Sequence, residues 1–230
     1  DSIDAKNNKF KILKILTGYS YRNSFENWNF NYEGIIKLIQ FNTVQGWHLS
    51  TGISYIKRDE ETRKYLTYGA DFNYGFSEEK FRTTGFFSTR LDTKTNSLLT
   101  LNGGSKVEQF NANYPISNLI NTASSIFFED NYMKLYEKNF VKASYQQEAI
   151  NGLYLVGSLE YGERKPLYNN SDYVMFNQDK KYTSNNPLNP EDYTTAAIEK
   201  HNLFKANINA RINFGQKYLS RPDGKFNIRN

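Results

Sequence analysis

The sequence predicts an all-β fold: an antiparallel up-and-down transmembrane β-barrel, complete or incomplete, with a short helical insert near residues 116–137. Alternating side chains, long segments and an aromatic-rich composition predict it. From Leu66 to Phe76 apolar side chains occupy every second position, and the same pattern recurs from Phe204 to Phe214. Successive side chains of a strand point to opposite faces, so each segment has one apolar and one polar face. A tilted strand needs about 9–11 residues to cross the hydrocarbon of a bilayer.

The composition fits this class without proving it. Hydrophobic residues make up 38% of the 230 residues, yet the chain contains 18 Tyr and 17 Phe. Few aliphatic and many aromatic side chains are typical of a barrel with a polar interior, an apolar outer band and aromatic girdles at the two interfaces. A soluble, tyrosine-rich β-sandwich has a similar composition, so both classes stay open at this point.

Charge, cysteine content and hydropathy exclude several other classes. The net charge of +5 comes from 29 basic residues scattered among 24 acidic ones, which does not favour a nucleic-acid partner. The chain has no cysteine, which excludes a disulfide framework and a thiolate site. It has no apolar run of about 18 residues, which excludes an ordinary transmembrane helix. Because it starts at Asp1 without a signal peptide and ends in what resembles another strand, we expect residues 1–230 to be one barrel segment of a longer chain.

The first half of the chain reads as a meander of antiparallel strands. The charged residues 57–64 connect two alternating segments and predict a hairpin exposed to water. Gly34 predicts a bend within its strand, and Gly103 with Gly104 a bulge. The strands predicted here cover residues 10–21, 28–41, 47–55, 66–76, 81–91 and 98–110.

Residues 116–137 interrupt this alternation. After Pro115, apolar residues recur at intervals of three and four, which predicts an amphipathic helix that buries its apolar face. Residues 129–138 are expected to continue as a second short helix. We expect the insert to be a plug in the barrel lumen or an element of its rim. The apolar positions are Ile116, Leu119, Ile120, Ala123, Ile126 and Phe127.

The strand pattern then resumes. Asn151-Gly152 predicts a tight hairpin between strands at 140–149 and 153–161. Residues 162–200 form a long polar loop rich in Pro and Asn, with a short strand expected at 173–176 and a brief helix at 191–200. A strand at 203–214 and a turn at 221–224 complete the chain. Outer-membrane barrels alternate short turns with long external loops, so the long loop predicts the orientation.

Three motifs resemble a family of Bacteroidota outer-membrane barrel proteins of unknown function, in which a carboxypeptidase-regulatory-like domain precedes the barrel. The first motif covers residues 41–46, where Gln45 stands in place of the family's usual Glu. The second covers residues 131–138, and the third residues 215–218 with 221–223. The resemblance implies an outer-membrane location and a barrel, without implying a reaction. The matching residues are Asn42, Thr43, Gly46, Asn131, Tyr132, Lys134, Tyr136, Tyr218, Arg221 and Pro222.

No catalytic, cofactor-binding or metal-binding set is predicted. His48 and His201 lack partners at metal-ligand spacing, and the glycine-rich loops and nucleophile elbows of common enzyme classes are absent from the sequence. The best polar cluster surrounds the helical insert, where we expect either a binding or gating role or a structural ion-pair network. Its members are Glu129, Asp130, Lys134 and Glu137.

The sequence therefore predicts a non-enzymatic outer-membrane β-barrel that supports transport, envelope biogenesis or scaffolding. Its partners are the lipid bilayer of the cell outer membrane and other envelope proteins; no cofactor and no nucleic acid are expected, and a small-molecule ligand is left open. The alternative is a secreted, soluble β-sandwich that binds glycans through exposed aromatics. A barrel-embedded hydrolase is a third hypothesis, but it requires a catalytic set that is not recognisable in the sequence.

Overall fold

One antiparallel sheet of ten strands dominates the computed structural model, which describes residues 4–5, 8–35, 39–177, 179–221 and 224–228. The strand order is β1-β2-β4-β5-β6-β7-β8-β9-β10, and β3 also pairs with β4. Two helices, α1 (Lys14–Thr17) and α2 (Asn118–Phe128), and a hairpin, β11–β12, accompany it. The strands are β1 (Tyr19–Asn23), β2 (Trp28–Tyr32), β3 (Ile39–Asn42), β4 (Gly46–Arg58), β5 (Tyr65–Gly75), β6 (Lys80–Asp92), β7 (Ser97–Gln109), β8 (Leu135–Ile150), β9 (Leu153–Pro166), β10 (His201–Ile212), β11 (Lys217–Arg221) and β12 (Gly224–Ile228).

Local side-chain bonds explain why sequential strands pair. In the connector between β4 and β5, Asp59 Oδ1 accepts bonds from the amides of Glu61 and Thr62 at 3.0 and 3.1 Å. Asp92 closes the turn between β6 and β7 in the same way. Gly152, at φ +83°, closes the hairpin between β8 and β9 that Asn151-Gly152 predicts. Asp and Gly favour such turns, so the predicted meander is confirmed from β4 to β10.

The segment predicted as one strand over 28–41 is two strands that share a neighbour. β2 pairs with the second half of β4 and β3 with its first half, as Tyr32↔Ile53 and Ile39↔Leu49 indicate. Residues 36–38 lie outside the described residues. The predicted bend at Gly34 is present: its φ is +76°, and a Cβ there would lie 2.4 Å from the amide nitrogen of Gly18. Both the conformation and the close approach require glycine.

Short and long connections are sorted between the two ends of the sheet. At one end lie the short connections 24–27, 59–64, 93–96 and 151–152. At the other end lie two tight turns, 43–45 and 76–79, and the two long segments 110–134 and 167–200. We call these two long segments the cap, and this end of the sheet the cap end. Every described apolar side chain that is buried lies at the cap end: Phe41, Val44, Ile126, Met133, Leu135, Tyr136 and Tyr182.

The all-β, antiparallel fold class is confirmed, but the sheet is not closed. β1 and β10 stand at the two ends of the strand order, and no pairing joins them within the described ranges. Inside those ranges, no helix has the length and apolar character needed to span a membrane.

Several local predictions are wrong. The strand predicted from Phe10 begins at Tyr19, and α1 precedes it; the apolar residues of this segment, spaced three or four apart, suit a helix better. The second helix predicted over 129–138 is absent, because Glu129 adopts φ +57° and its amide returns to the carbonyl of Ser125, which ends α2. Residues 173–176 are not a strand and 191–200 are not a helix, and β9 continues to Pro166.

The amphipathic helix exists, but its orientation is the opposite of the prediction. Asn121, Ser125 and Ile126 are its buried residues, whereas Leu119 is 74% and Ile120 60% exposed. The polar side of α2 therefore packs against the protein, because that side bonds to the backbone of β3, as described below.

Candidate functional site: the two faces of the sheet and its cap

The register of the sheet collects apolar side chains into a row that crosses nine strands on one face. Neighbours in this row face each other directly in each ladder, from Tyr21↔Phe30 at one edge to Leu159↔Ala206 at the other. We call this the apolar face. The row is Tyr21, Phe30, Tyr55, Tyr68, Phe87, Leu101, Ala143, Leu159 and Ala206.

The neighbouring row on the opposite side, the polar face, is almost entirely hydrophilic. It crosses the same nine strands, and each of its residues is adjacent in sequence to a residue of the apolar row; its last pair is Glu160↔Lys205. Because side chains alternate across a strand, this single register fixes both rows. The polar row is Ser20, Asn31, Ser54, Gly69, Phe86, Asn102, Lys142, Glu160 and Lys205.

Aromatic rings stack near both ends of the apolar face. Away from the cap, Tyr21, Trp28, Tyr55 and Tyr68 form a continuous stack with ring centroids 5.1–5.6 Å apart. Near the cap, Phe72 stacks on Phe81 at 6.0 Å. Several side chains between and beyond these groups are exposed, and Ile208 reaches 84%. Aromatic groups that flank an exposed apolar band are typical of a sheet that crosses a membrane.

Phe86 is the exception within the polar row, and packing explains it. A Cβ added to Gly69 would lie 2.6 Å from Phe86 Cζ, so the ring covers the bare backbone of the adjacent strand. An aromatic side chain over a glycine of the neighbouring strand stabilises that pair. Phe86 is thus a structural residue of the polar face.

Ion pairs line the polar face towards the cap end. Lys138 Nζ lies 2.8 Å from Glu160 Oε1 and 3.4 Å from Glu108 Oε2, and it stands over the ring of Phe140 at 4.7 Å. Lys106 also pairs with Glu108, at 3.0 Å. These groups line a trough of about 450 Å³ that extends from β5 to β9. Its charges are nearly balanced, so its chemistry suits water and polar solutes more than one strongly charged ligand.

The first family-like motif is a self-bonded turn at the cap end. Asn42 Oδ1 accepts bonds from the amides of Val44 and Gln45 at 3.0 and 2.8 Å. Gln45 accepts from Asn42 Nδ2 at 3.1 Å and donates to Asn73 Oδ1 at 2.6 Å. The donation requires an amide, which Glu lacks, so Gln45 suits this partner. Gly46, at φ +66°, leaves room for Ser77, whose Oγ would lie 1.9 Å from an added Cβ.

The second motif meets the first through side-chain amides. Asn131 Nδ2 donates to Thr43 Oγ1 at 3.2 Å and to the carbonyl of Thr183 at 2.7 Å. Thr43 Oγ1 in turn donates to Asn169 at 2.7 Å, and Asn170 Nδ2 donates to the carbonyl of Val44 at 2.8 Å. Both cap segments are therefore attached to the turn at 43–45. The sequence resemblance located two of the three segments that meet here.

Helix α2 covers the free edge of β3. The amide of Phe41 donates to Thr122 Oγ1 at 3.0 Å, and its carbonyl accepts from Thr122 Oγ1 at 3.2 Å and from Asn121 Nδ2 at 3.4 Å. Asn121 Oδ1 also accepts from the amide of Met133 at 3.0 Å. These side chains replace a neighbouring strand, which satisfies backbone groups that would otherwise be unpaired.

Asn185 and Lys134 attach the second cap segment to β8. Asn185 accepts from the amide of Leu135 at 2.8 Å and donates to its carbonyl at 2.6 Å. Lys134 Nζ donates to Thr183 Oγ1 at 2.6 Å and to the carbonyl of Ser184 at 2.7 Å. Burial disfavours the ammonium and lowers the pKa of Lys134 to about 8.

A buried ion-pair network joins β6, β8 and β9 to the turn at 76–79, at the cap end of the sheet. Arg82 is 2% exposed, and it pairs with Glu78 and, at 2.9 Å, with Glu137. Glu137 also pairs with Lys80 at 2.5 Å and with Lys165 at 3.8 Å. The predicted polar cluster contains Glu137 but lacks Arg82, because the two residues are 55 positions apart in the chain and no local pattern relates them.

The four residues of the predicted polar cluster occupy separate environments. Glu129 is buried at the end of α2, near Tyr182, and the pKa of Tyr182 is raised by burial and by the charges of Glu129 and Asp172. Asp130 pairs with Lys180 at 2.6 Å at the surface. Lys134 binds the second cap segment, and Glu137 belongs to the Arg82 network. The geometry does not assemble the four into one binding site.

The remaining motif residues lie away from this junction. Tyr132 donates to Asp130 at 3.2 Å, and Tyr136 donates to Glu108 on the polar face at 2.6 Å. Tyr218 and Arg221 belong to β11, and Pro222 lies outside the described residues.

The histidines do not assemble a metal site. His48 Nδ1 lies 3.3 Å from Asn42 Nδ2, and His201 Nδ1 lies 2.8 Å from the carbonyl of Glu199. Among the residues that the structure describes, no group of three or more His, Cys, Asp or Glu side chains could hold a metal ion.

Sequence reasoning missed three asparagines of the 167–200 segment, Asn169, Asn170 and Asn185, whose side chains bond it to the turn at 43–45 and to β8. The Asn and Ser pairs at 169–171 and 184–186 were a usable signal, because these side chains readily bond to nearby backbone groups. The pattern predicts a loop with its own hydrogen bonds, but it does not identify the distant backbone groups that accept them.

These features define a class: an all-β protein whose main element is one antiparallel sheet with an apolar and a polar face, capped at one end. Residues 13–230 match the model described as Family of unknown function (DUF5686) C-terminal domain. The chain belongs to this family. It matches no curated protein and no solved structure.

Proposed function

We propose that this chain is a non-enzymatic β-barrel segment of the cell outer membrane, which supports transport, envelope biogenesis or scaffolding. The observation that carries the proposal is the apolar row that crosses nine strands, from Tyr21 to Ala206, with a hydrophilic row on the opposite face. Lipid is the environment that favours a continuous apolar band on one side of a sheet while the other side stays hydrated.

The energetics favour lipid over water on the apolar face. Burying apolar surface stabilises by about 25 cal/mol per Å², and the described core lies at the cap end. In the middle of the sheet, Val141, Leu159 and Ile208 remain 55–84% exposed. A continuous row of such residues exposes a larger apolar patch than the scattered apolar side chains of an ordinary soluble surface. A bilayer supplies the missing burial without a second layer of protein.

The connections support the same proposal. Short connections throughout one end, and both long segments at the other, are typical of outer-membrane barrels. On the polar face, Lys138 and Glu160 form part of an ion-pair network that tolerates water in a lumen. Further strands that join β1 to β10 would close such a barrel, and closure would remove both exposed edges.

A pair of arginine substitutions on adjacent residues of β9 tests the proposal. Leu159 faces Ala143 and Ala206 on the apolar face, whereas Ser158 faces Ser144 and Asn207 on the polar face. An arginine on the lipid face near the bilayer midplane costs about 2–4 kcal/mol, while substitutions in the lumen are tolerated. We expect Leu159→Arg to reduce insertion into phosphatidylcholine vesicles and to abolish heat-modifiable migration on gels, and Ser158→Arg to leave both intact.

A soluble protein gives the reverse result. If the chain is monomeric in detergent-free buffer and Leu159→Arg folds as well as Ser158→Arg, the membrane proposal is wrong. Retention on an immobilised glycan by that soluble protein would then support the β-sandwich alternative.

A further inference from the structure

Helix α2 carries an apolar stripe whose first turn the rest of the described chain leaves exposed. Leu119, Ala123 and Ile126 follow the i, i+4, i+7 spacing of one helix face, with Ile120 beside them; Leu119 and Ile120 are exposed, whereas Ile126 at the other end of the stripe is buried. Leu119 and Ile120 are 74% and 60% exposed, because the opposite side of α2 bonds to the edge of β3. A helix held by its polar side and exposed on its apolar side requires an apolar environment outside the protein.

The stripe is continuous with the apolar face of the sheet. Ile126 packs in one cluster with Phe41 and Trp47, which belong to the apolar face of β3 and β4. Tyr173 contacts the same two rings at 5.9 and 6.1 Å. The amide of Met175 donates to the carbonyl of Ile126 at 2.7 Å, which brings another exposed apolar side chain beside the helix. The exposed part of α2 is thus next to the apolar face of the sheet, and an apolar environment that contacts this face at the cap end also contacts α2.

The composition of this segment does not suit contact with a charged partner. Residues 109–128 carry no charged side chain, although charged residues make up 23% of the chain. The helix is 11 residues long, which is too short to span a bilayer. A short, uncharged helix with one apolar face, next to an aromatic group that includes Trp47, suits the boundary between headgroups and acyl chains.

We propose that α2 lies in the membrane interface, with Leu119 and Ile120 against lipid acyl chains and its polar side against the edge of β3. This inference rests on the proposed membrane location of the sheet. The helix then acts as a lipid-facing collar at the cap end, and it is neither a plug in the lumen nor a docking site for protein.

The chain has no cysteine, so single-cysteine variants can carry an environment-sensitive fluorophore at chosen positions. Leu119→Cys reports on α2 and Leu159→Cys on the middle of the apolar face. Glu191→Cys, an exposed cap residue, is the water control. The full chain is refolded into phosphatidylcholine vesicles, with or without lipids that carry a nitroxide near the start or the end of the acyl chain.

We expect the label at 119 to shift to the blue and to lose most of its emission with the shallow nitroxide. The label at 159 should respond more strongly to the deep nitroxide, and the label at 191 should respond to neither. If 159 is quenched while 119 behaves like 191, the collar is wrong and the proposed function stands. A blue shift at 119 without quenching indicates a protein contact, such as a second copy, and also overturns the collar.

The two proposals can fail separately. Quenching at 119 without quenching at 159 supports the collar but contradicts a sheet that crosses the bilayer. If no position is quenched, both proposals are wrong.

Discussion

The sheet and the cap of this protein are stabilised in different ways. The sheet is held by backbone ladders, and its side chains are sorted by face with little burial in its middle, as the exposure of Val141 and Leu159 illustrates. The cap lacks regular structure apart from α2, yet its residues Ile126, Met133 and Tyr182 complete the buried apolar clusters around Phe41 and Val44. Its segments are joined by asparagine side chains such as Asn131 and Asn185. The cap is therefore organised like a globular protein, whereas the sheet is held mainly by its backbone pairing.

The two regions differ in what pairs their backbone groups and in what buries their side chains. In the cap, each asparagine amide donates and accepts at once, so it can replace the backbone partner that an irregular segment lacks. In the sheet, backbone groups are already paired, and only the side-chain environment remains to be supplied. Substitutions in the cap should therefore act in any solvent, while those on the apolar face of the sheet should act only where lipid is present.

The largest effect is expected at Arg82, where the sheet meets the cap end. Arg82→Met leaves the buried carboxylate of Glu78 without its partner and removes one cation from Glu137. Removing one member of a buried pair costs about 3–5 kcal/mol. Urea unfolding of the vesicle-bound chain measures the loss. Arg90→Met is the matched control, because Arg90 is on the same face of β6 and stands over the ring of Tyr65 at 5.0 Å. Equal losses for both variants would contradict the role assigned to the network.

A smaller, local effect is expected at Asn131. Asn131→Leu removes one hydrogen bond to Thr43 and two to Thr183, at a cost of about 0.5–1.5 kcal/mol for each bond. The cap should loosen while the sheet stays intact. We expect faster proteolysis within 167–200, with unchanged heat-modifiable migration. Asn177→Leu, at an exposed cap position, should change neither. If Asn131→Leu unfolds the sheet as well, the two regions are not separately stabilised.

Two glycines of the sheet differ in the space around them. Gly69→Ala places a Cβ 2.3 Å from the carbonyl of Ile53 and against the Phe86 ring, which should cost about 1–3 kcal/mol. Gly157→Ala meets nothing within 4 Å, so it should be neutral or slightly stabilising. Urea unfolding of both variants gives the comparison. Similar stability for the two would show that Phe86 and the neighbouring strand adjust without cost.

The sequence predicts these two regions unequally well, for a physical reason. Alternation from Leu66 to Phe76 follows from local geometry, so β5 agrees with its predicted bounds within one residue. The cap depends on contacts such as Asn131 with Thr43, which are 88 positions apart and leave no local pattern. The periodicity of α2 correctly predicted a helix, but not which side packs, because Thr122 and Asn121 bind a backbone edge instead of an apolar surface.

The smallest effect expected is a pH dependence confined to the cap. Burial lowers the pKa of Lys134 to about 8 from its ordinary 10.5, so between these values the unfolded chain binds more protons than the folded one. Cap stability should therefore rise as the pH increases from about 8 towards 10.5. Above that range Lys134 is neutral in both the folded and the unfolded chain, and the rise should end. The rate of proteolysis within 167–200, normalised to the activity of the protease at each pH, measures cap stability. In Lys134→Met this rise should be absent, so the difference in cap stability between parent and variant should change over the same pH range. A parent cap that loosens steadily over this range would contradict the assignment to Lys134.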